Sequence, residues 1–228
     1  MSGVTQGSIL GPILFAAYTS PIGDLIRSFS VHHHQFADDT QVHIALPSSD
    51  MQNGLALLAN CTDAVKQWYL VNALLLNADK LEAICLGTSS QLRAATDTVT
   101  VAGTALPVSK EIRSLGVIID RHLTFDSHIS AVIKSCNYHL RALQHIHLLP
   151  FSTAQSLACS LILSQLDYCN AVLYGSSAHV IGQLQRVQNY AARVVTQSNR
   201  RTPSQPLLRS LHWLLVQQSL VYKAALIT

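Results

Sequence analysis

The stretch Val31-His32-His33-His34-Gln35-Phe36-Ala37-Asp38-Asp39-Thr40-Gln41-Val42-His43-Ile44-Ala45-Leu46 decides the fold. Apolar residues alternate on either side of an acidic pair, which predicts two short strands with Asp38 and Asp39 at the turn between them. Adjacent carboxylates repel, and the repulsion is relieved by a cation. Hard oxygen donors on a tight hairpin suit Mg²⁺, which takes few protein ligands and shares phosphate oxygens. That chemistry belongs to phosphoryl transfer. The plainer reading of an Asp-Asp pair is a solvated turn.

Working outward, Pro12 suits the first turn of a helix through Leu14, Phe15 and Tyr18 toward Pro21. Ser49 or Asp50 is placed to cap a helix from about Met51 to Leu70, with Leu55, Leu58, Thr62, Val65 and Tyr69 on one face. Strands are expected at Leu74–Asn77 and Ala83–Leu86, joined by Ala78-Asp79-Lys80, and a polar loop over Thr88 to Thr98. Val99–Val101, Ala105–Val108 and Ser114–Asp120 read as further strands, with Gly103 at a turn.

The pattern then changes to helical period. Ile129, Val132, Ile133, Cys136, Leu140 and Leu143 mark one helix. Ser152 with Gln155 is a capping-box signature for a second, ending near Tyr174 before Gly175. A third is expected over Ala178 to Val195, a polar loop over 197–206, and a last helix from about Leu207. The predicted class is α+β, with a mixed part over residues 1–120 and a helical part over 121–228.

Composition bounds the function. Hydrophobic residues make up 49% of the 228 and charged residues 12%, so the chain can bury a core and is not a disordered tail. Residues 1–90 carry a net charge of −4 and residues 91–228 one of +7, which sum to the overall +3. Arg186 and Arg193 lie seven apart on one helical face, and with Arg200 and Arg201 they form a candidate phosphate-backbone contact, or a solvated face. The five cysteines show no Cys-x-x-Cys spacing, which argues against a disulfide framework or a zinc ribbon and for an intracellular setting. No apolar run is long enough to span a membrane. Of His32-His33-His34, alternation lets only two share a metal, so this run reads as a polar strand.

Six ordered segments carry a resemblance. They are Gly3-Val4-Thr5-Gln6-Gly7 through Gly11-Pro12-Ile13-Leu14-Phe15, Phe36-Ala37-Asp38-Asp39, Leu76-Asn77-Ala78-Asp79-Lys80, Leu115-Gly116-Val117, Leu166-Asp167-Tyr168-Cys169-Asn170, and Leu184-Gln185-Arg186-Val187-Gln188-Asn189. The series resembles the reverse transcriptases of LINE-type retrotransposons, those without long terminal repeats, near the jockey and chicken-repeat group. The resemblance implies a partial polymerase palm followed by a helical, thumb-like region. It implies catalytic and metal-binding roles for Asp38 and Asp39, with two Mg²⁺ ions in the parent enzyme, and a catalytic role for Lys80 in protonating pyrophosphate. Gln6, Gly7, Phe36 and Ala37 would line the nucleotide and template, and Gly116 would grip the primer end. The implied partners are an RNA template, a DNA primer and deoxynucleotides. The family's first metal-binding aspartate precedes the Gly-Val-Thr-Gln-Gly segment, so the expectation is an amino-terminally truncated chain, inactive alone. A non-catalytic nucleic-acid-binding remnant and the product of a decayed element remain as alternatives.

Overall fold

The computed structural model describes residues 7–47, 50–93, 95–145 and 149–227. Ser49, one of the two expected helix caps, and Gln6 lie outside the described residues. The chain forms two compact units, Met1–Ile112 and Arg113–Thr228, and its class is α+β.

The first unit opens with α1 (Gly11–Thr19), which has Pro12 in its first turn, and α2 (Pro21–Ser28). Helix α2 was not foreseen, although Ile22, Leu25, Ile26 and Phe29 carry the i, i+3, i+4, i+7 signal of one helical face. Strands β1 (His32–Phe36) and β2 (Asp39–His43) form the expected antiparallel hairpin. Helix α3 (Met51–Val71) follows; Asp50 sits at its cap position but accepts from the Asn53 amide (2.7 Å) rather than from a backbone N–H. Ile22, Ile26, Val31, Cys61, Val65 and Tyr69 form the core, with Leu74 and Leu76 packed against it. By contrast, Ile9 and Leu10 just before α1, and Ile13 and Leu14 in its first turn, are exposed.

Leu74 and Leu76 face this core in alternation, yet residues 74–77 are not a strand. Alternation alone does not make a strand without a neighbour to complete its ladder. Instead the Asn77 side chain accepts from the Asp79 amide and starts one 3₁₀ turn, Ala78–Lys80. Only Ala83–Ile84 of the next expected strand is extended, as β3. The expected loop contains a short helix, α4 (Ser89–Arg93), where the Gln91 side chain accepts from the Thr88 amide. Strands β4 (Thr98–Val101) and β5 (Thr104–Ser109) pair antiparallel through Ala102-Gly103, and β3 adds in parallel to β5. Both turn residues have positive φ (+50° and +75°), which suits a two-residue hairpin and places the glycine where its freedom is needed.

Two polar side chains of α3 hold that turn. The Ala102 amide donates to Thr62 Oγ1 (3.0 Å), and Lys66 Nζ donates to the Ala102 carbonyl (2.9 Å). Thr62 and Ala102 are both buried.

The expected single strand at 114–120 is two strands, β6 (Glu111–Ser114) and β7 (Val117–Asp120), reversed at Leu115-Gly116. Both turn residues again have positive φ, +45° and +84°. In the second unit β7 packs on α5 (Asp126–Gln144), which is why the chain divides before residue 120. The Ile118 amide points to Nδ1 of the buried His128 at 3.5 Å. Asp120 shapes the connection by accepting from the amides of His122, Thr124 and Phe125.

The second helix starts at Phe151, with Pro150 rather than Ser152 at its cap, so the capping box does not form. It runs as α6 (Phe151–Ala158), a π turn over Cys159–Leu163 and α7 (Ser164–Asp167). It stops at Asp167, not Tyr174, because Cys169 takes a left-handed conformation (φ +50°) and the buried Asn170 donates to Asp167 and Ser219. A 3₁₀ turn, Asn170–Leu173, leads to Gly175. Helix α8 (Ala178–Val195) has the expected bounds, and Ser177 accepts from Val180 N at its start. The last expected helix is two, α9 (Ser204–Ser210) and α10 (Val216–Ile227), separated by a turn with His212 at φ +56°. The core gathers Ile129, Cys136, Leu140, Ala158, Ile162, Leu184, Ala191 and Leu220.

Candidate functional site

The β1–β2 hairpin presents the acidic pair. Register runs Phe36↔Asp39, His34↔Gln41 and His32↔His43, so Ala37-Asp38 is the two-residue turn and Asp39 the first residue of β2. Ala37 has φ +55°, which a two-residue turn of matching twist requires. Asp38 and Asp39 are both exposed, as is Phe36 at 69%.

The hairpin is anchored through its inner face. Gln35 Nε2 donates to the buried Thr19 Oγ1 (2.9 Å), and Val42 packs against the Ile22 and Ile26 cluster. His33 lies against Gly23 of α2, where an added Cβ would come within 2.9 Å of its Nε2. Burial, then the Arg27 guanidinium, lowers the His33 pKa. The glycine is thus a close approach between helix and hairpin. On the outer face, one side of the ladder carries His32, His34 and Phe36 opposite His43, Gln41 and Asp39.

The other sequence-derived residues are placed as follows. Gly7 has φ +87° and open space around it. Lys80 is exposed in the 3₁₀ turn after Asn77. Gly116 sits in the β6–β7 turn, 3.4 Å from a Tyr168 ring carbon measured from an added Cβ, and Tyr168 Oη donates to the Leu115 carbonyl (2.6 Å). Tyr168 was not singled out as a support for this turn, and nothing in its local pattern signals a contact 53 residues away.

The arginines divide. Arg186, Arg200 and Arg201 are exposed. Arg193 is half-buried and its guanidinium serves its own chain, donating from Nε to the Thr202 carbonyl (2.9 Å) and from Nη1 to Asn189 O (3.5 Å). Arg193 thus closes the 196–203 loop. A shallow groove of ≈500 Å³ between α5 and α8 is lined by Lys134, Asn137, Gln183, Arg186 and Tyr190.

All five cysteines are free thiols. Burial raises the Cys61 pKa and pushes that of Cys136 up to about 11, so both are core side chains rather than nucleophiles. Among the described residues, no helix is long and apolar enough to cross a membrane.

Residues 1–119 match the family described as "Reverse transcriptase (RNA-dependent DNA polymerase)". The chain belongs to the reverse transcriptase family. It is similar to the "RNA-directed DNA polymerase from mobile element jockey" of Drosophila funebris, 29% identical over 136 residues, covering 58% of this chain and 14% of that protein. It is also similar to the "Probable RNA-directed DNA polymerase from transposon X-element" of Drosophila melanogaster, at 25% over 206 residues, covering 86% of this chain and 22% of the relative. A third relative, the "Probable RNA-directed DNA polymerase from transposon BS" of the same species, is 28% identical over 156 residues, covering 63% of this chain and 16% of that protein. The matches thus span under a quarter of each relative's length. No solved structure matches. The resemblance to polymerases of retrotransposons without long terminal repeats is upheld, and divalent-metal use is general to the family. The matched segment of this reverse transcriptase chain includes the hairpin that carries Asp38 and Asp39.

Proposed function

We propose that this chain is part of an RNA-directed DNA polymerase of a retrotransposon, with the hairpin turn holding Mg²⁺ for nucleotidyl transfer. One observation carries the reading: within the family-matched segment, two adjacent exposed carboxylates sit at the tip of a hairpin, Asp38 in its two-residue turn and Asp39 at the start of β2, and the strands are anchored through their opposite face. The donor set is oxygen only, which fits a hard divalent cation. Bound there, Mg²⁺ would activate the primer hydroxyl and stabilise the leaving pyrophosphate.

The chain's own residues have distinct parts. Asp38, in the turn itself, supplies the leading carboxylate, and Asp39 supplies the second from the start of β2. The open backbone at Gly7 admits close approach of a nucleotide, beside Gln6 in the sequence. Lys80 donates a proton to the departing pyrophosphate. The Leu115-Gly116 turn holds the primer end. RNA template and DNA primer run along the basic second unit, with Arg186, Arg200 and Arg201 as backbone contacts whose contribution falls with salt.

The test is Mn²⁺ titration followed by amide resonance broadening. Broadening centred on Ala37 to Thr40, lost in Asp38→Asn/Asp39→Asn, supports the reading. Broadening that is unchanged in that variant, or centred elsewhere, refutes it.

A further inference from the structure

The outer face of the hairpin carries a second chemistry. Alternation within His32-His33-His34 puts two imidazoles on this face, and the register brings a third, His43, from the opposite strand. His43 stacks on both: its ring centroid is 5.4 Å from that of His32 and 5.6 Å from that of His34, with interplanar angles of 21° and 13°. All three are exposed, so their rings can turn without disturbing the core.

We propose that His32, His34 and His43 form a binding site for a borderline transition-metal ion of the Zn²⁺ class, which clips the open end of the hairpin. In the stacked arrangement, no three His, Cys, Asp or Glu side chains among the described residues are disposed to hold a metal. The change needed is in ring orientation. A Zn–N bond of about 2.0–2.1 Å and a tetrahedral angle place the centroids of two bound imidazoles about 5 Å apart. The two observed spacings are already close to this, so His43 can share an ion with either neighbour by rotating about side-chain bonds. His32 and His34 are two residues apart on one strand, with roots about 6.6 Å apart, so their rings must lean together. Three nitrogen donors leave a fourth position for water.

The site differs in kind from the oxygen pair at the turn. Imidazole selects Zn²⁺, Cu²⁺ or Ni²⁺ over Mg²⁺. It also has a structural use. A two-stranded ribbon is marginal by itself, and this one is secured by the turn at one end and by inner-face contacts. An ion shared by His32 and His43 would tie the strands where the ladder ends, and binding to the folded form raises stability by mass action.

The experiment titrates Zn²⁺ into the full chain by calorimetry, with Co²⁺ absorption reporting coordination geometry and thermal unfolding reporting stabilisation. The expected result is one strong site with a tetrahedral Co²⁺ spectrum and a rise in Tm. His43→Gln, His32→Gln and His34→Gln should each weaken binding by more than about tenfold, the lower end of what loss of a mere outer-shell support costs. His179→Gln, on α8 of the second unit, should leave it unchanged. Absence of a strong site in the wild-type chain overturns the proposal. So does retention of full affinity by His43→Gln, whose folding is checked by its circular dichroism.

Discussion

Replacing Thr62 by Val tests the link between α3 and the β4–β5 turn. The hydroxyl accepts from the Ala102 amide at 3.0 Å, and both residues are buried, at 8% and 4% exposure. Valine keeps the shape but leaves that amide unpaired, which costs about 1–3 kcal/mol. Exchanging hydroxyl for methyl returns about 0.8 kcal/mol of apolar burial. The net loss is about 1 kcal/mol, or about 2–8 °C in Tm depending on the size of the cooperative unit. Lys66→Met removes the neighbouring donor to the Ala102 carbonyl. Because both side chains hold one turn residue, the double variant should fall short of additivity by at least about 0.5 kcal/mol. Urea unfolding measures the energies, and hydrogen exchange at the Ala102 amide measures the local effect. An Ala102 amide equally protected in Thr62→Val, together with additive losses, would refute the reasoning.

Further outcomes follow from the second unit. Burial, then the charge of Arg113, lowers the His128 pKa; the unfolded chain therefore binds the proton first, and stability should fall as pH drops below the ordinary histidine value of about 6.5. His128→Gln should flatten stability against pH in that window; an unchanged slope would point to other groups. At Asp120, burial raises the pKa but is outweighed by hydrogen bonds from Thr124, Phe125 and His122, so it is lowered overall. Its contribution is present above the unfolded carboxylate value and is lost as pH falls through the folded one, so Asp120→Asn should cost stability at neutral pH and cost less in acid. Gly116→Ala should lose roughly 1–2 kcal/mol, the cost of a side chain in a left-handed conformation; no change in chemical denaturation would show that the turn relaxes.

Much of this was legible where the signal was local. The hairpin could be read because alternation and a two-residue turn fix register together. Helix α8 could be read because Leu184, Val187, Ala191 and Val194 fall on one apolar face. The same register arithmetic would have found His43 opposite His32, since pairing Phe36 with Asp39 implies it. Other features depend on distant atoms. Leu74 and Leu76 alternate like a strand but find helix surface rather than another strand. The helix expected to reach Tyr174 stops at Asp167, where Ser219 and Lys223 supply contacts from α10. Arg193 has the charge of a phosphate contact, and only the fold shows it bonded to Thr202.

The two-residue turn at Ala37-Asp38 has a consequence for how the gene can change. Substitutions along the outer face alter chemistry but leave geometry alone. Loss or gain of a single codon within β2 shifts the strand by one residue, and such a shift moves every side chain beyond it to the opposite face. His43 would turn toward the core and Val42 toward solvent, at once unseating the apolar anchor and dispersing the imidazoles. Across residues 32–43, length should therefore vary far less than identity among functional descendants of this sequence.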